Sequence, residues 1–365
     1  MDNVEISSGT LTALYLFDVA EHFDLRRLRA SIGAGTEAQL TSKSTTPAYL
    51  RYQTPPLVAD GEAVGLSAID GFRPRLKFFD YGVVSLALTR SFTGTWAELV
   101  ERSHRYIENA SLEAQSEAAV RGILDRCRAA VTRGRQSFLS EDYLVVAVHQ
   151  LDAAASADEL LSAHGQQLAQ MLRGEAHPLS MQEQEEVLRN RLSYLATDLV
   201  IPTWNAAFVY DSEPGAAATL ELFEFANSQL LEFRYHDALL DAELVRIYPQ
   251  LQRTSWWKNI LGRGTARAAN QVHSLFIDVN EITDRTENAL KIVGDIYAAR
   301  LLALVGARLG IARWKASVED KLETLDDIYR FAVEQVAISR GQFLELTVVL
   351  ILILELVLFV IGIMK

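Results

Sequence analysis

Residues 346–364 read L-T-V-V-L-I-L-I-L-E-L-V-L-F-V-I-G-I-M, one apolar run broken only by Glu355. At about 1.5 Å rise per residue a helix of that length measures roughly 28 Å, against the ~30 Å hydrocarbon core of a bilayer. Each Leu, Ile, Val or Phe favours insertion by about 0.3 to 0.6 kcal/mol and one central acid opposes it by about 3 kcal/mol, so the run favours insertion despite Glu355. The expectation is a transmembrane helix and tail anchor over residues 343–365, single-pass, with membrane lipid as a partner. An acid within such a helix is expected to pair, which makes Glu355 a candidate contact in a homo-oligomer. Glu345, within reach of Arg340, is placed at the interface.

Upstream of the run the sequence reads as helix only. Helices are expected over 217–248, 268–309 and 313–342, with 4,3 spacing of apolar residues in the last two (Leu275, Val279, Ile282 and Thr286; Val318, Leu322, Leu325 and Tyr329). That spacing predicts an antiparallel, coiled-coil-like hairpin, with Gly310 at the turn. If the third helix runs toward a membrane, the loop over 249–267 lies at the membrane end. It carries Trp256, Trp257 and Lys258, residue types suited to an interface with anionic lipid.

The first half alternates strand-like and helical stretches. Strands are expected over 11–19, 49–53, 75–81, 82–88 and 143–148, and helices over 95–109, 111–132, 157–173 and 181–192. Neighbouring strands with segregated helices predict an α+β domain with a largely antiparallel sheet rather than a doubly wound fold. The organisation read from the chain is thus an α+β cytosolic domain (1–212), a helical stalk (213–342) and a membrane anchor (343–365).

Composition narrows the function. The chain is 49% hydrophobic with a net charge of −12, a folded and acidic protein for which broad non-specific nucleic-acid binding is disfavoured while a local basic patch stays open. The start, M-D-N-V-E-I-S-S-G-T, has no basic n-region and no Arg-rich presequence, so the N-terminal part is expected in the cytosol. A lone cysteine, Cys127, leaves no intramolecular disulfide and no cysteine zinc cluster. No phosphate loop, no H-E-x-x-H and no G-x-S-x-G elbow occurs in the chain. No cofactor, metal or catalytic residue is therefore assigned, and the chain is expected not to be an enzyme.

Three blocks carry a resemblance. Phe79-Asp80-Tyr81-Gly82-Val83-Val84 is similar to an F-D-Y-G-V-V element; residues 199–202 with Trp204, followed by Leu231-Glu232-Phe233-Arg234, resemble an L-D-x-P stretch and a helical L-E region. Arg340 and Leu344-Glu345, leading into the apolar run, resemble a terminal R-L-E-W segment and hydrophobic helix. Together they resemble the required-for-meiotic-nuclear-division family, a domain-of-unknown-function family, in a bacterial member. The resemblance implies a membrane-tethered protein with a large soluble domain and no established activity, and, by analogy, a role near ribosomes. Read from the residues themselves, Asp80, Tyr81 and Gly82 form a turn or bulge between strands.

The functional expectation is a non-enzymatic, tail-anchored and oligomeric membrane scaffold that holds an unidentified protein partner, in a bacterial inner membrane. The alternative is an enzyme or ligand sensor with a small-molecule site in the α+β domain. A pocket with convergent polar groups would favour the second.

Overall fold

Strand β1 (Ile6–Asp18) is the pivot of the sheet. It pairs antiparallel with β6 (Val83–Gly94) on one side and β8 (Leu139–Leu151) on the other, so both its edges and both its faces are covered. That is why residues 11–19 read as a continuous apolar run rather than an alternating one. Strands β4 (Leu57–Asp60) and β5 (Arg73–Phe78) extend the sheet beyond β6, and β10 (Ala206–Tyr210) and β9 (Leu199–Pro202) extend it beyond β8. The order is β4-β5-β6-β1-β8-β10-β9, and every pairing is antiparallel except β8 with β10. A parallel pair cannot be closed by a tight turn. Helices α4 (Ala157–Arg173) and α5 (Met181–Arg189) accordingly lie in the connection between β8 and β10.

Here the computed structural model describes residues 5–32, 50–252, 276–277, 279–280, 290–292 and 295–363. Trp256, Trp257 and Lys258 lie outside the described residues, as does the side chain of Arg340.

The two faces of the sheet differ in chemistry. On one, Phe17, Phe78, Leu86, Val146 and Phe208 belong to an apolar core that includes residues of α2 (Trp96–Tyr106), α3 (Ala110–Arg126) and α4. Those helices start where the sequence caps them: Thr95 with Glu98, and Ser156 with Glu159, form capping boxes, and Asn109 caps α3. Over the other face runs α6 (Glu213–Gln252), which carries charged and polar side chains onto the sheet. Pro249, expected to end this helix, lies within it.

The chain divides into two compact units, residues 1–235 with 285–313, and 236–284 with 314–365. The first holds the sheet, a two-stranded pair of β3 (Leu50–Tyr52) with β11 (Leu290–Ile292), and α7 (Ile296–Leu309). In the second, Asp237 accepts hydrogen bonds from Ser317 (2.6 Å) and Lys321 (2.7 Å), and Leu240, Val279, Val318, Leu322 and Leu325 are buried.

Two further expectations need correction. Residues 290–292 are a strand where one helix over 268–309 was predicted, because pairing with β3 satisfies their backbone in a way the 4,3 spacing does not reveal. Among the described residues no helix is long and apolar enough to cross a membrane. That overturns the transmembrane helix and, with it, the tail anchor and the single-pass membrane location. Helix α8 (Ile311–Ile363) carries the apolar run, with exposed side chains from Leu346 to Val357. Glu355 lies inside that stretch, and Glu345 and Arg340 flank it.

Candidate functional site

The polar groups of the sheet gather beneath α6. Alternation along β5 puts Arg73, Arg75 and Lys77 on one face, and helical spacing puts Glu221, Glu224, Ser228 and Glu232 on one stripe of α6. Lys77 is 1% exposed and forms ion pairs with both Glu221 (2.7 Å) and Glu224. Tyr52 donates to the other oxygen of Glu221 (2.7 Å), Ser85 donates to Glu224 (2.9 Å), and Arg75 reaches Glu224 at 3.1 Å. Two acids thus share two cations, and each carboxylate is hydrogen-bonded as burial requires. Burial alone would raise the Glu224 carboxyl, but the charges of Lys77 and Arg75 and the bonds from Lys77 and Ser85 hold it below its ordinary value.

Farther along α6 the balance reverses. Arg135 pairs with Asp18 (2.6 Å) and lies over the Tyr235 ring (3.4 Å). Burial pushes the Asp18 carboxyl up to about 6, with Arg135 opposing the shift. Burial also raises the Glu232 carboxyl well above the usual range, helped by the charge of Asp18. Arg234 pairs with Glu141, whose carboxyl is likewise raised by burial.

At the start of α6 the interface opens. A cleft of about 310 Å³ is walled by Thr10, Thr12, Thr89, His149, Arg73 and Arg75, with Asp60 and Glu213 at its rim. Thr12 and Thr89 share a hydrogen bond (3.1 Å), and His149 contacts Thr10 through Nε2 (3.2 Å) and the Asp211 carbonyl through Nδ1 (3.3 Å). The wall is therefore set by contacts already made, while the exposed Arg73 stays open to the cleft. Among the described residues no group of three or more His, Cys, Asp and Glu side chains could hold a metal ion. Cys127 is buried, and burial raises its thiol, with Arg126 opposing the shift.

The residues singled out in the sequence fall in different places. Asp80, Tyr81 and Gly82 form the β5–β6 turn, closed by Phe79 N–H to Val83 (2.9 Å) and Gly82 N–H to Phe79 (3.1 Å). Gly82 has φ +93°, and a Cβ there would stand 1.9 Å from the Ala20 carbonyl oxygen, so only glycine fits. Tyr81 is buried with its hydroxyl 2.6 Å from Ser228. Ser228 donates onward to the Phe225 carbonyl (2.7 Å), which makes Tyr81 the donor of the pair. The backbone carbonyl of Asp80 accepts from Phe23 (2.9 Å). Glu345 and Glu355 are exposed on α8, in the second unit. Lys77, Glu221, Glu224, Arg75, Arg73 and His149 were not anticipated. The visible signal was the Arg-x-Arg-x-Lys alternation on β5 facing an acidic stripe on α6.

No solved structure matches the chain. The uncharacterized protein MJ0711 of Methanocaldococcus jannaschii is 25% identical over 191 residues, 52% of this chain and 58% of the archaeal protein, so the chain spans less than two thirds of that relative. Residues 8–217, from β1 through the first turn of α6, match the family described as "Uncharacterized protein MJ0711, N-terminal domain", and the chain belongs to that family.

Proposed function

We propose that the sheet unit is a non-enzymatic binding module that takes a small polar ligand with an anionic group in the cleft at the start of α6. The observation that carries the reading is the convergence of Arg73, Arg75, three threonine hydroxyls and His149 on one cleft of about 310 Å³. That volume lies at the lower end of the roughly 300–1,000 Å³ typical of small-molecule sites. Arg73 would hold the anion, and the hydroxyls would select its polar substituents. Lys77, Glu221 and Glu224 are committed to one another and do not line the cleft, so none is assigned as acid or base. Calorimetric titration with a panel of small carboxylates and phosphate esters tests the idea. At least one should bind to the whole chain, and Arg73→Ala should weaken it about tenfold without altering the melting temperature. Absence of binding across the panel, or equal binding by Arg73→Ala, removes the proposal.

A second reading, a scaffold of several copies, is favoured by one observation. From Leu346 to Val357 the side chains of α8 are exposed, Leu346 at 59% and Leu354 at 58% among them. A helix apolar on all sides is ordinarily covered, and the same helix from another copy offers a surface of matching chemistry. Light scattering should then report an oligomer for the whole chain and a monomer for a chain ending at Gln342. A monomer in both cases would exclude it.

A further inference from the structure

The second cavity lies on a part of the surface that runs against the net charge of the molecule. Residues 117–138 hold five arginines, Arg121, Arg126, Arg128, Arg133 and Arg135, against only Glu117 and Asp125, in a chain of net charge −12. Three of them, Arg121, Arg128 and Arg135, line one hollow of about 380 Å³ together with Asp125 and the apolar Leu124, Val131 and Phe138. Each guanidinium is held in place. Arg121 lies 3.8 Å over the Phe138 ring, bonds to Glu117 through Nε (2.9 Å) and Nη2 (2.6 Å), and donates through Nη1 to the Gln136 carbonyl (3.1 Å). Arg128 pairs with Asp125 (2.8 Å), and Arg135 with Asp18 (2.6 Å). A guanidinium carries five N–H donors, so these bonds fix each group and still leave donors to spare.

The combination is specific. Three oriented cations suit a phosphate, whereas the apolar lining would be wasted on a bare inorganic anion and suits a flat organic body. Guanidinium planes and aromatic rings, here Arg121 and Phe138, are the surfaces on which nucleobases rest in single-strand and nucleotide sites. The cleft beside α6 lacks this: no Phe, Tyr or Trp side chain lines it.

We propose that the hollow between Arg121, Arg128 and Arg135 is a nucleotide site, the phosphate lying on the guanidinium groups and the base over Leu124, Val131 and Phe138. The nucleotide unit could be free or part of an RNA strand, and the chemistry is shared. The test uses the whole chain with three probes: ATP, a fluorescein-labelled twelve-residue oligouridine and inorganic phosphate. Arg128 is the residue to change, because its side chain is 80% exposed and its replacement leaves the core intact. Binding of ATP or of the oligouridine in the micromolar range, weakened at least tenfold by Arg128→Glu with an unchanged melting temperature, supports the site. ATP binding alone assigns a free nucleotide, and tighter binding of the oligouridine assigns a strand. Arg73→Ala, in the other cleft, should leave either affinity unchanged, which separates this proposal from the one above. Equal affinity for inorganic phosphate and ATP, no binding by any probe, or no effect of Arg128→Glu overturns it.

Discussion

Lys77 is the residue on which the α6 interface turns. It is 1% exposed between Glu221 and Glu224, themselves 4% and 0% exposed, so its loss would leave Glu221 with only the Tyr52 hydroxyl and Glu224 with only Ser85 and Arg75 to offset two buried charges. Removing one member of such a buried ion pair costs about 3–5 kcal/mol, whereas exchanging the whole set for apolar residues can be neutral. Lys77→Met should therefore destabilise the chain by about that amount in urea unfolding. Glu224→Gln in the same background should recover part of it, because one of the stranded charges is gone. A coupling of at least about 1 kcal/mol between the two changes is expected from a double-mutant cycle. Additive effects would mean that Lys77 and Glu224 do not act as a pair.

At the scale of the element, α6 joins a satisfied cluster near its start to an acid-rich one near Tyr235, and the second makes stability depend on pH. The Asp18 carboxyl moves from 3.8 to about 6 on folding because burial disfavours its charge, Arg135 only partly offsetting this. A raised carboxyl binds its proton more tightly in the folded state. Its contribution is thus full below about pH 4 and is lost as pH rises through about 6, an amount on the order of 3 kcal/mol. Unfolding midpoints between pH 4 and 7.5 should fall for the natural chain, and Asp18→Asn should flatten that slope. An unchanged slope in the variant would assign the dependence to other groups. Little of this interface was legible in the sequence. The strands were, since residues 11–19, 75–81, 82–88 and 143–148 carry runs of β-branched and aromatic side chains that fall on β1, β5, β6 and β8. So was the glycine turn at Gly82, because a positive φ has few alternatives. The acids of α6 were not, because Glu221 and Glu224 look like any solvated helical face until Lys77, some 140 residues earlier in the chain, is brought beneath them. The apolar run at residues 346–364 misled for the opposite reason: hydropathy alone spoke for a bilayer, while among the described residues no helix is long and apolar enough to cross one.

On the scale of the whole molecule, the sheet unit is discontinuous in sequence, since residues 285–313 belong with residues 1–235. That grouping follows from long-range burial, which local spacing does not carry. Helix α7 places Ala298, Leu301, Val305 and Leu309 in buried positions, and Asp295 and Gly310 cap its two ends. Burying a leucine or valine contributes roughly 1.5–3 kcal/mol, so α7 is worth on the order of 5 kcal/mol before the entropy of ordering it is subtracted. A chain of residues 1–235 also loses β11, the partner of β3, and with it the pairing that sets Tyr52 beside Glu221. The shorter chain should consequently melt well below a chain of residues 1–313, and by several times the few degrees that 1 kcal/mol represents in a domain of this size. Adding residues 285–313 as a separate peptide should restore part of the difference. Equal melting of the two chains would show that α7 and β11 are accessories to the sheet and that the unit is complete by Tyr235.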